Sequence, residues 1–289
     1  MGDVPAGSAR PNRPRTRSEA HDLIVDQGRR RRLGGSFAES SDLSQAREYD
    51  AMRPRYPQEA VRRLVDLAAS AEGRRPRIAE LGAGTGILTR SLLSRGAEVR
   101  AVEPSGPMAE VMAERSAEAL DGGTLRISRT QAESTDIGTG WAGLAVAAQA
   151  WHWFDGDEVR RELERILDPG GAAAVIANHL DTSVPWVHRL TRIMRAGDVR
   201  RPGWRPDFGP GFGEVTTDEL PWERAITPEE IRRLSTTLSS WLTADEGERA
   251  RRRGNLDWYL VEHLGLVPGG TVPLPYVTVL HSARRRRAR

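Results

Sequence analysis

Two amino acids are missing from this chain of 289 residues, which contains neither cysteine nor lysine. Without cysteine there is no disulfide, no thiolate nucleophile and no cysteine-based zinc or iron–sulfur site. Without lysine there is no Schiff-base lysine and no lysine-bearing phosphate loop. Long apolar runs are also missing, since no stretch approaches the roughly 20 apolar residues that span a bilayer. We therefore expect a cytoplasmic protein without a membrane segment.

All 43 basic residues are arginine, and their positions decide what the isoelectric point of about 9.9 means. Residues 1 to 32 contain eight arginines and four acidic residues, and residues 284 to 289 contain five arginines. Residues 33 to 283 hold 30 arginines and 36 acidic residues, which is a formal charge of −6. Basic ends are more typical of solvated termini than of a nucleic-acid interface. We therefore do not expect nucleic acid as a partner.

Local patterns predict one domain between two basic ends. Residues 1 to 35 mix Pro, Gly, Ser and Arg without an apolar period, so we expect a disordered, arginine-rich leader. The predicted domain covers residues 36 to 283, and a basic tail follows over 284 to 289. Inside the domain, short apolar strands alternate with helices. This alternation predicts a doubly wound α/β sheet whose strands are mostly parallel.

The predicted elements fall into two groups, before and after Asn178. Before it, strands are predicted at 77–81, 98–103, 124–128, 143–149 and 172–178. Helices are predicted from Tyr56-Pro57 to Gly73 and at 86–95, 105–119 and 156–167. After it come a helix at 184–196, a Pro/Gly/Trp-rich loop at 201–213, an extended stretch at 214–224, helices from 227 and over 245–264, and a strand at 275–281. The second group predicts further strands of the same sheet together with inserted helices.

The most informative motif joins the first strand to the next helix. Gly82, Gly84 and Gly86 alternate with Ala83 and Thr85, which lets the backbone turn sharply and approach a ligand closely at a helix N-terminus. The dinucleotide motif places its third glycine one residue later, which disfavours a nicotinamide cofactor. A glycine turn without a ligand is the alternative.

A second marker lies about 20 residues further on, where Glu103 ends the second strand. A carboxylate at this place can accept both hydroxyls of a ribose. An acid at the end of a strand is otherwise usually just solvated. Together, the glycine turn and Glu103 predict an adenosine-containing ligand.

Several separated stretches resemble the class I S-adenosylmethionine-dependent methyltransferases, and within them the small-molecule branch that includes trans-aconitate methyltransferase-like proteins. The stretches are Tyr49 to Pro57, Glu80 to Gly86, Val102 to Ser105, Gln131 to Glu133, Ala148 to Asp155, Leu167 to Gly171 and Val184 to Val187. The resemblance implies a Rossmann-like sheet of seven strands with an antiparallel last strand at 275–281. It also implies a helical cap, mainly at residues 36–56 and 180–265, which forms the acceptor pocket.

The resemblance further implies S-adenosylmethionine as the cofactor. The residues expected to contact it are Tyr49, Arg53, Glu80, Gly82, Ala83, Gly84, Thr85, Gly86, Glu103, Pro104, Ser105, Ala132, Glu133, Gln149, Ala150 and Trp151. Glu80 and the glycine loop would hold the methionine end, Glu103 the ribose, and Glu133 would border the adenine. Arg53 would meet the carboxylate of the cofactor. Relatives commonly have Asp at the start of the fourth strand, where this chain has Gly143.

Methyl transfer from a sulfonium needs alignment and exclusion of water, and it needs a base only when the acceptor keeps its proton. His152 follows the fourth strand and is the candidate catalytic base, and packing between its two tryptophan neighbours is an equal alternative. The other histidines lack metal-like spacing, so we expect no metal. The residues predicted to contact the acceptor are Trp153, Trp186, Arg189 and Trp204. For Arg189 a solvated helix face is the alternative.

These observations predict an S-adenosylmethionine-dependent methyltransferase that acts on a small molecule, by default on oxygen and plausibly in specialised metabolism. Two alternatives stay open. One is an enzyme of the same fold that keeps the cofactor but catalyses a non-methylating reaction such as a cyclisation. The other is a nucleic-acid-associated protein that uses its arginine-rich ends.

Overall fold

The computed structural model describes residues 42–69, 73–196 and 203–286, so the predicted leader and the last three residues of the predicted tail lie outside the described residues. The helices of the described ranges are α1 (Leu43–Met52), α2 (Gln58–Ala68), α3 (Ile87–Leu93), α4 (Gly106–Arg115), α5 (Ala117–Asp121), α6 (Gly156–Ile166), α7 (Pro185–Met194), α8 (Pro228–Thr236), α9 (Ser239–Leu242) and α10 (Glu246–Asp257). The strands are β1 (Arg77–Leu81), β2 (Glu98–Val102), β3 (Leu125–Ser128), β4 (Ala142–Ala148), β5 (Leu167–Leu180), β6 (Thr216–Ile226) and β7 (Val272–Arg284). Trp151–Trp153 forms a 3₁₀ turn, and Trp258–His263 forms a π-helical turn.

The strands form a single sheet in the order β3-β2-β1-β4-β5-β7-β6. The strands from β1 to β5 are parallel to one another, and β7 is antiparallel to both β5 and β6. This topology confirms the predicted seven-stranded, mostly parallel sheet with an antiparallel last strand. The strand order reverses between β1 and β4, and in such sheets ligands bind at the carboxyl ends of the strands beside the reversal.

Apolar side chains cover both faces of the sheet. Leu64 of α2, Leu92 of α3 and Met112 of α4 pack on one face, while Leu163 of α6 packs on the other. A third cluster includes Leu190 of α7 and lies beneath the helices that follow β5. The sheet therefore provides a rigid base on which the cap helices rest.

Side-chain caps define the starts of two helices. The Asp155 side chain accepts hydrogen bonds from the backbone N–H groups of Asp157 and Glu158 in the first turn of α6. Asp155 is therefore the N-cap of this helix. Before α8, Thr227 and Glu230 form the reciprocal capping box, and Pro228 occupies the first helical turn. Local capping thus fixes where these two helices begin.

The C-terminal strand is longer than the predicted 275–281. It continues to Arg284, and beyond it the Arg285 backbone donates to the Gly171 carbonyl (2.7 Å) and the Arg286 backbone to the Gly211 carbonyl (2.8 Å). Arg284, expected in a basic tail, therefore lies in β7, and the backbones of Arg285 and Arg286 are hydrogen-bonded to β5 and to a neighbouring loop. The run of arginines predicted a solvated tail. The backbone hydrogen bonds of these residues instead hold them against neighbouring segments of the chain.

One helix was not predicted, and two others differ from their predicted extents. The helix α1 was not predicted, because its apolar pattern is weak and it is instead held by contacts with distant residues. The predicted helix at 105–119 divides at Ser116 into α4 and α5. The predicted helix at 245–264 is α-helical only to Asp257 and then becomes a π-helical turn. Among the helices of the described ranges, none combines the length and apolarity that a membrane crossing requires.

Candidate active site

The glycine loop after β1 depends on glycine at each of its three positions. Gly82, Gly84 and Gly86 all have positive φ angles of 68°, 58° and 78°, a region that side chains disfavour. A Cβ atom on Gly82 would lie 2.6 Å from the Ala150 Cβ, and one on Gly86 would lie 2.5 Å from the Met112 Cγ. A Cβ on Gly84 would meet nothing within 4 Å. The outer glycines therefore allow close packing, and the middle one leaves open space.

Glu80, at the end of β1, is a completely buried carboxyl group that lines the cavity above the loop. Its Oε2 atom accepts a hydrogen bond from the Thr89 hydroxyl (2.6 Å), while its Oε1 atom has no hydrogen-bond partner in the described part of the chain. Burial raises the pKa of Glu80 to about 8, although the Thr89 hydrogen bond opposes this. A cation entering the cavity would find a carboxylate oxygen without a competing donor.

Glu103 follows β2 and turns its carboxylate toward the same loop. The Gly84 N–H donates to Oε2 and the Ser105 N–H donates to Oε1, both at 2.8 Å. Burial raises the pKa of Glu103, and these two hydrogen bonds oppose the rise. Because each carboxylate oxygen has more than one acceptor site, both can still accept a ligand hydroxyl. Ser105 is buried before α4, and Pro104 between them is exposed.

The segment after α1 forms one wall of the cavity. Tyr49 and Arg53 both line it, and the Arg53 guanidinium lies 4.9 Å from the centre of the Tyr49 ring. Asp50 of α1 is buried and accepts a hydrogen bond from Arg90 (2.5 Å), which also donates to the Thr85 carbonyl (2.6 Å). Arg90 thereby ties α1 directly to the glycine loop.

The end of β4 contributes Gln149, which lines the cavity with an unusual backbone. Its φ angle is 58°, and its side-chain amide donates to the Asn178 carbonyl (2.8 Å). A residue other than glycine in this region carries strain, which proteins tend to retain at functional sites. The next two residues, unlike Gln149, are not part of the described cavity wall. Ala150 packs beneath the glycine loop, and Trp151 packs edge-on against Phe208 (5.3 Å) within the core.

The two residues expected at the adenine lie beside the cavity rather than in its described wall. Ala132 is buried in the core cluster that includes α6. The Glu133 carboxylate accepts a hydrogen bond from the Asp155 backbone (2.8 Å) and so fixes the turn that begins α6. Their positions connect the loop after β3 to the loop after β4.

Beyond the glycine loop the cavity continues under the cap. The described residues that line this end are Asn178, Leu180, Thr182, Thr191, Met194, Ala196, Leu234, Leu238 and Tyr276. Most are aliphatic or weakly polar, and they come from β5, α7, α8, β7 and the segments beside them. Tyr276 stacks on Trp222 at 4.9 Å, and burial raises the pKa of Tyr276 to about 12, so its hydroxyl stays protonated at neutral pH.

A hydrogen-bonded network supports this end of the cavity from below. Trp222 donates to the Thr278 hydroxyl (2.9 Å), and Thr278 donates to the Asn178 side chain (2.5 Å). The Asn178 amide in turn donates to the Arg55 carbonyl (3.2 Å). The network joins the three strands at one edge of the sheet to the segment after α1.

The candidate base and acceptor residues from the sequence lie outside the described cavity wall. His152 is exposed, with its ring 4.3 Å from the ring of Trp153. Trp186 accepts a hydrogen bond from Tyr259 through its carbonyl, and Trp204 is 40% exposed. Arg189 faces a different cleft. The tryptophans identified a cap but not which of its faces encloses the cavity.

The cavity residues that sequence reasoning missed are mainly aliphatic. Their signal was present as helical spacing: Leu234 and Leu238, in and after α8, lie four residues apart, and Met194 of α7 lies four residues after the core residue Leu190. Such spacing identifies a buried face and does not distinguish a core from a cavity wall. In the described residues no cluster of histidine and acidic side chains could hold a metal ion.

Sequence comparison places the chain in a family. A methyltransferase-domain model matches residues 79–175. An uncharacterized methyltransferase of Mycobacterium tuberculosis is 32% identical over 232 residues, which are 80% of this chain and 90% of that protein. An uncharacterized methyltransferase-like protein of Schizosaccharomyces pombe is 30% identical over 234 residues, 76% of this chain and 88% of that protein. The chain belongs to the class I S-adenosylmethionine-dependent methyltransferases.

Solved structures share the fold. A methyltransferase from Anaeromyxobacter dehalogenans has a TM-score of 0.59 at 22% identity, covering 82% of this chain and 99% of that one. Phosphoethanolamine N-methyltransferase 2 of Haemonchus contortus, solved with S-adenosyl-L-methionine, has a TM-score of 0.53 at 13% identity, covering 88% of this chain and 60% of that one. These structures show the shared fold, and the family membership confirms the predicted class of enzyme, whose cofactor is S-adenosylmethionine.

The residues of the loop fit this cofactor chemically. The Glu80 oxygen without a described partner suits the ammonium group of the methionine end, and the open space at Gly84 allows close approach to the backbone. The Thr85 hydroxyl is buried and likewise has no described hydrogen-bond partner. The Glu103 carboxylate suits a pair of ribose hydroxyls.

Proposed function

We propose that this enzyme methylates a small, largely apolar acceptor on an oxygen atom that is already ionised at neutral pH, such as a carboxylate or an acidic phenol. The observation that carries the proposal is the continuous cavity. It extends from the glycine loop into a cap end lined by Leu180, Met194, Leu234 and Leu238. An apolar wall of this kind suits a small molecule better than a polymer.

The cofactor's residues are assigned within this proposal. When bound, S-adenosylmethionine supplies a methyl group that its sulfonium already activates. Glu80 would pair with the ammonium group, Glu103 would accept the ribose hydroxyls, and Arg53 would attract the carboxylate. Gln149, at the end of β4, would face the place where cofactor and acceptor meet. The task of the chain is then to hold both partners and to exclude water.

The described lining of the cavity favours an acceptor oxygen that is already ionised. Among its described lining residues, Glu80 is the only carboxylic acid and no histidine is present, so an acceptor that needs no base fits best. The protonated Tyr276 hydroxyl can donate a hydrogen bond to an acceptor oxygen. His152, exposed on the 3₁₀ turn, is not needed in this scheme.

The reaction can be tested with matched acceptors. Aliphatic and aromatic carboxylic acids, with the corresponding amides and alcohols, are incubated with the enzyme and S-adenosylmethionine and analysed by mass spectrometry. We expect acids to gain one methyl group and S-adenosylhomocysteine to form. Release of methylthioadenosine would indicate a non-methylating reaction, and methylation of the alcohols but not the acids would contradict the proposed acceptor.

The cofactor assignment has its own test. We expect Glu103→Gln to weaken S-adenosylhomocysteine binding by roughly ten- to a hundredfold in calorimetry, because charged hydrogen bonds to the ribose are lost. Glu158→Gln, on the exposed side of α6, makes the same chemical change away from the cavity and should bind like the wild type. Equal affinity for all three proteins would refute the role of Glu103.

A further inference from the structure

A second cleft lies on the side of α7 that faces away from the cofactor cavity. Thr191 and Met194 of α7 line the cofactor cavity, whereas Arg189, Arg192 and Arg195 line this cleft. The remaining lining residues are His188, Ile193, Glu248, Arg251, Arg252 and Asn255. Its volume is about 580 Å³, which is in the range of small-molecule sites. We call it the arginine cleft.

Positive charge is in large excess in the arginine cleft. Glu248 is the only acidic residue among its described lining residues, and it faces five arginines. It pairs with Arg195 (2.8 Å), Arg251 (2.6 Å) and Arg252 (2.9 Å). Hydrogen bonds from Arg251 and Arg252 hold the pKa of Glu248 at about 2, so it is ionised at neutral pH. Among the described lining residues, a single carboxylate therefore stands opposite five guanidinium groups, and the cleft keeps an excess of positive charge.

Two of these arginines are not engaged with any acid that the structure describes. Arg192 makes no ion pair or hydrogen bond through its side chain within the described ranges. Arg189 lies over the rings of Trp258 (5.5 Å) and Tyr259 (5.3 Å), contacts that orient a guanidinium and leave its edge N–H groups free to donate. Both side chains are therefore available to a ligand.

The excess is not a consequence of a generally basic surface. Residues 33 to 283 carry a formal charge of −6, so acidic residues outnumber arginines in the domain as a whole. Like charges gathered in one cleft repel one another, and an anion relieves that repulsion. A cluster of this kind within an acidic body indicates a ligand of opposite charge.

We propose that the arginine cleft binds a small multivalent oxyanion, a phosphorylated or polycarboxylate metabolite. A guanidinium group presents paired N–H donors that match two oxygens of a phosphate or carboxylate. Arg189 and Arg192 are three residues apart on α7, so their side chains lie on neighbouring turns of one face, where a single anion can engage both. The walls formed by α7 and α10 suit a compact anion.

Calorimetry of the full chain tests the proposal directly. The protein is first saturated with S-adenosylhomocysteine to fill the cofactor cavity, and it is then titrated with pyrophosphate or with citrate. We expect binding that weakens as salt rises from about 0.05 to 0.2 M. Tighter binding of pyrophosphate identifies a phosphorylated ligand, and tighter binding of citrate a polycarboxylate. Binding of neither, or of an oligonucleotide alone, would overturn the proposal.

Two variants locate the bound anion. Arg192→Gln should weaken binding by roughly tenfold or more, and because no described ion pair is lost, its thermal stability should match the wild type. Arg161→Gln removes the same charge from α6, where the side chain is 74% exposed, and should bind like the wild type. Equal weakening in both variants would mean that net charge, not the cleft, attracts the anion.

Anion binding to the arginine cleft should not depend on the proposed cofactor and acceptor sites. Glu103→Gln, titrated without S-adenosylhomocysteine, should still bind the anion with the affinity of the wild type. Loss of anion binding in this variant would place the anion in the cofactor cavity and would contradict the arginine cleft as its site.

Discussion

Glu80 couples cofactor binding to pH through a single buried carboxyl group. Burial raises its pKa to about 8, so in the cofactor-free protein it is mainly protonated below that pH. An ammonium group beside it favours the ionised form instead. With the proposed pairing of Glu80 and this ammonium, we expect cofactor binding to release a proton from Glu80 at neutral and mildly acidic pH.

We expect affinity for S-adenosylhomocysteine to rise by about tenfold per pH unit between about pH 5 and 7, where the ligand ammonium stays protonated. Calorimetry in buffers of different ionisation enthalpy measures the released proton. Glu80→Gln should bind without releasing one and should lose this pH dependence, while Glu158→Gln should keep both. A wild type whose affinity does not change with pH would contradict the pairing of Glu80 with the ammonium.

Among the helices, α1 depends on ion pairs more than on apolar burial. Asp50 is the buried anchor, paired with Arg90 at 2.5 Å and with Arg115 at 3.8 Å. We expect Asp50→Asn to lower the free energy of unfolding by about 2–4 kcal/mol, because Arg90 would lose its buried partner. Hydrogen exchange should accelerate in residues 43–52, and S-adenosylhomocysteine should bind more weakly.

Glu48 on the same helix provides the control for this prediction. It pairs with Arg233 at 2.7 Å, and its side chain is 32% exposed, so solvent screens the pair. Glu48→Gln should therefore cost no more than about 1 kcal/mol. Similar losses in both variants would show that burial of the Asp50 pair is not what fixes α1.

The packing of α2 on β4 explains why position 143 is glycine. A Cβ atom on Gly143 would lie 2.7 Å from the Ala68 carbonyl oxygen at the end of α2, whereas one on Gly138 would meet nothing within 4 Å. We expect Gly143→Ala to lower the free energy of unfolding in urea by about 1–3 kcal/mol. Gly138→Ala should leave it unchanged or slightly raised. Equal stability of the two variants would contradict this account.

The elements also show what a sequence can and cannot specify. The strands β1 to β4 are predicted to within one residue, because apolar runs bounded by turns are local signals. The helix α1 is missed because its partners, such as Glu114 for Arg47 and Arg233 for Glu48, lie far along the chain. The loop residues of the candidate site follow from a motif. The wall that the cap contributes to this site could not be predicted from a motif, because its residues come from several elements that are distant in the sequence.

For the molecule as a whole, two buried groups give opposite dependences of stability on pH. Burial and the nearby Arg205 lower the pKa of His281 from 6.5 to about 4, so its contribution is present above pH 6.5 and is lost as pH falls toward 4. Burial raises the pKa of Glu80 from 4.5 to about 8. Its contribution is present below pH 4.5 and is lost as pH rises toward 8.

The cofactor-free enzyme should therefore be most stable between about pH 5 and 6, since the two losses oppose each other there. Urea unfolding across a pH series measures the free energy of unfolding directly. Glu80→Gln should remove most of the decline between about pH 6 and 8, because the side chain at position 80 can then no longer ionise. Saturating S-adenosylhomocysteine should also reduce this decline in the wild type, because in the proposed pairing its ammonium group compensates the negative charge of ionised Glu80. A decline that persists unchanged in Glu80→Gln would place its origin in another buried group.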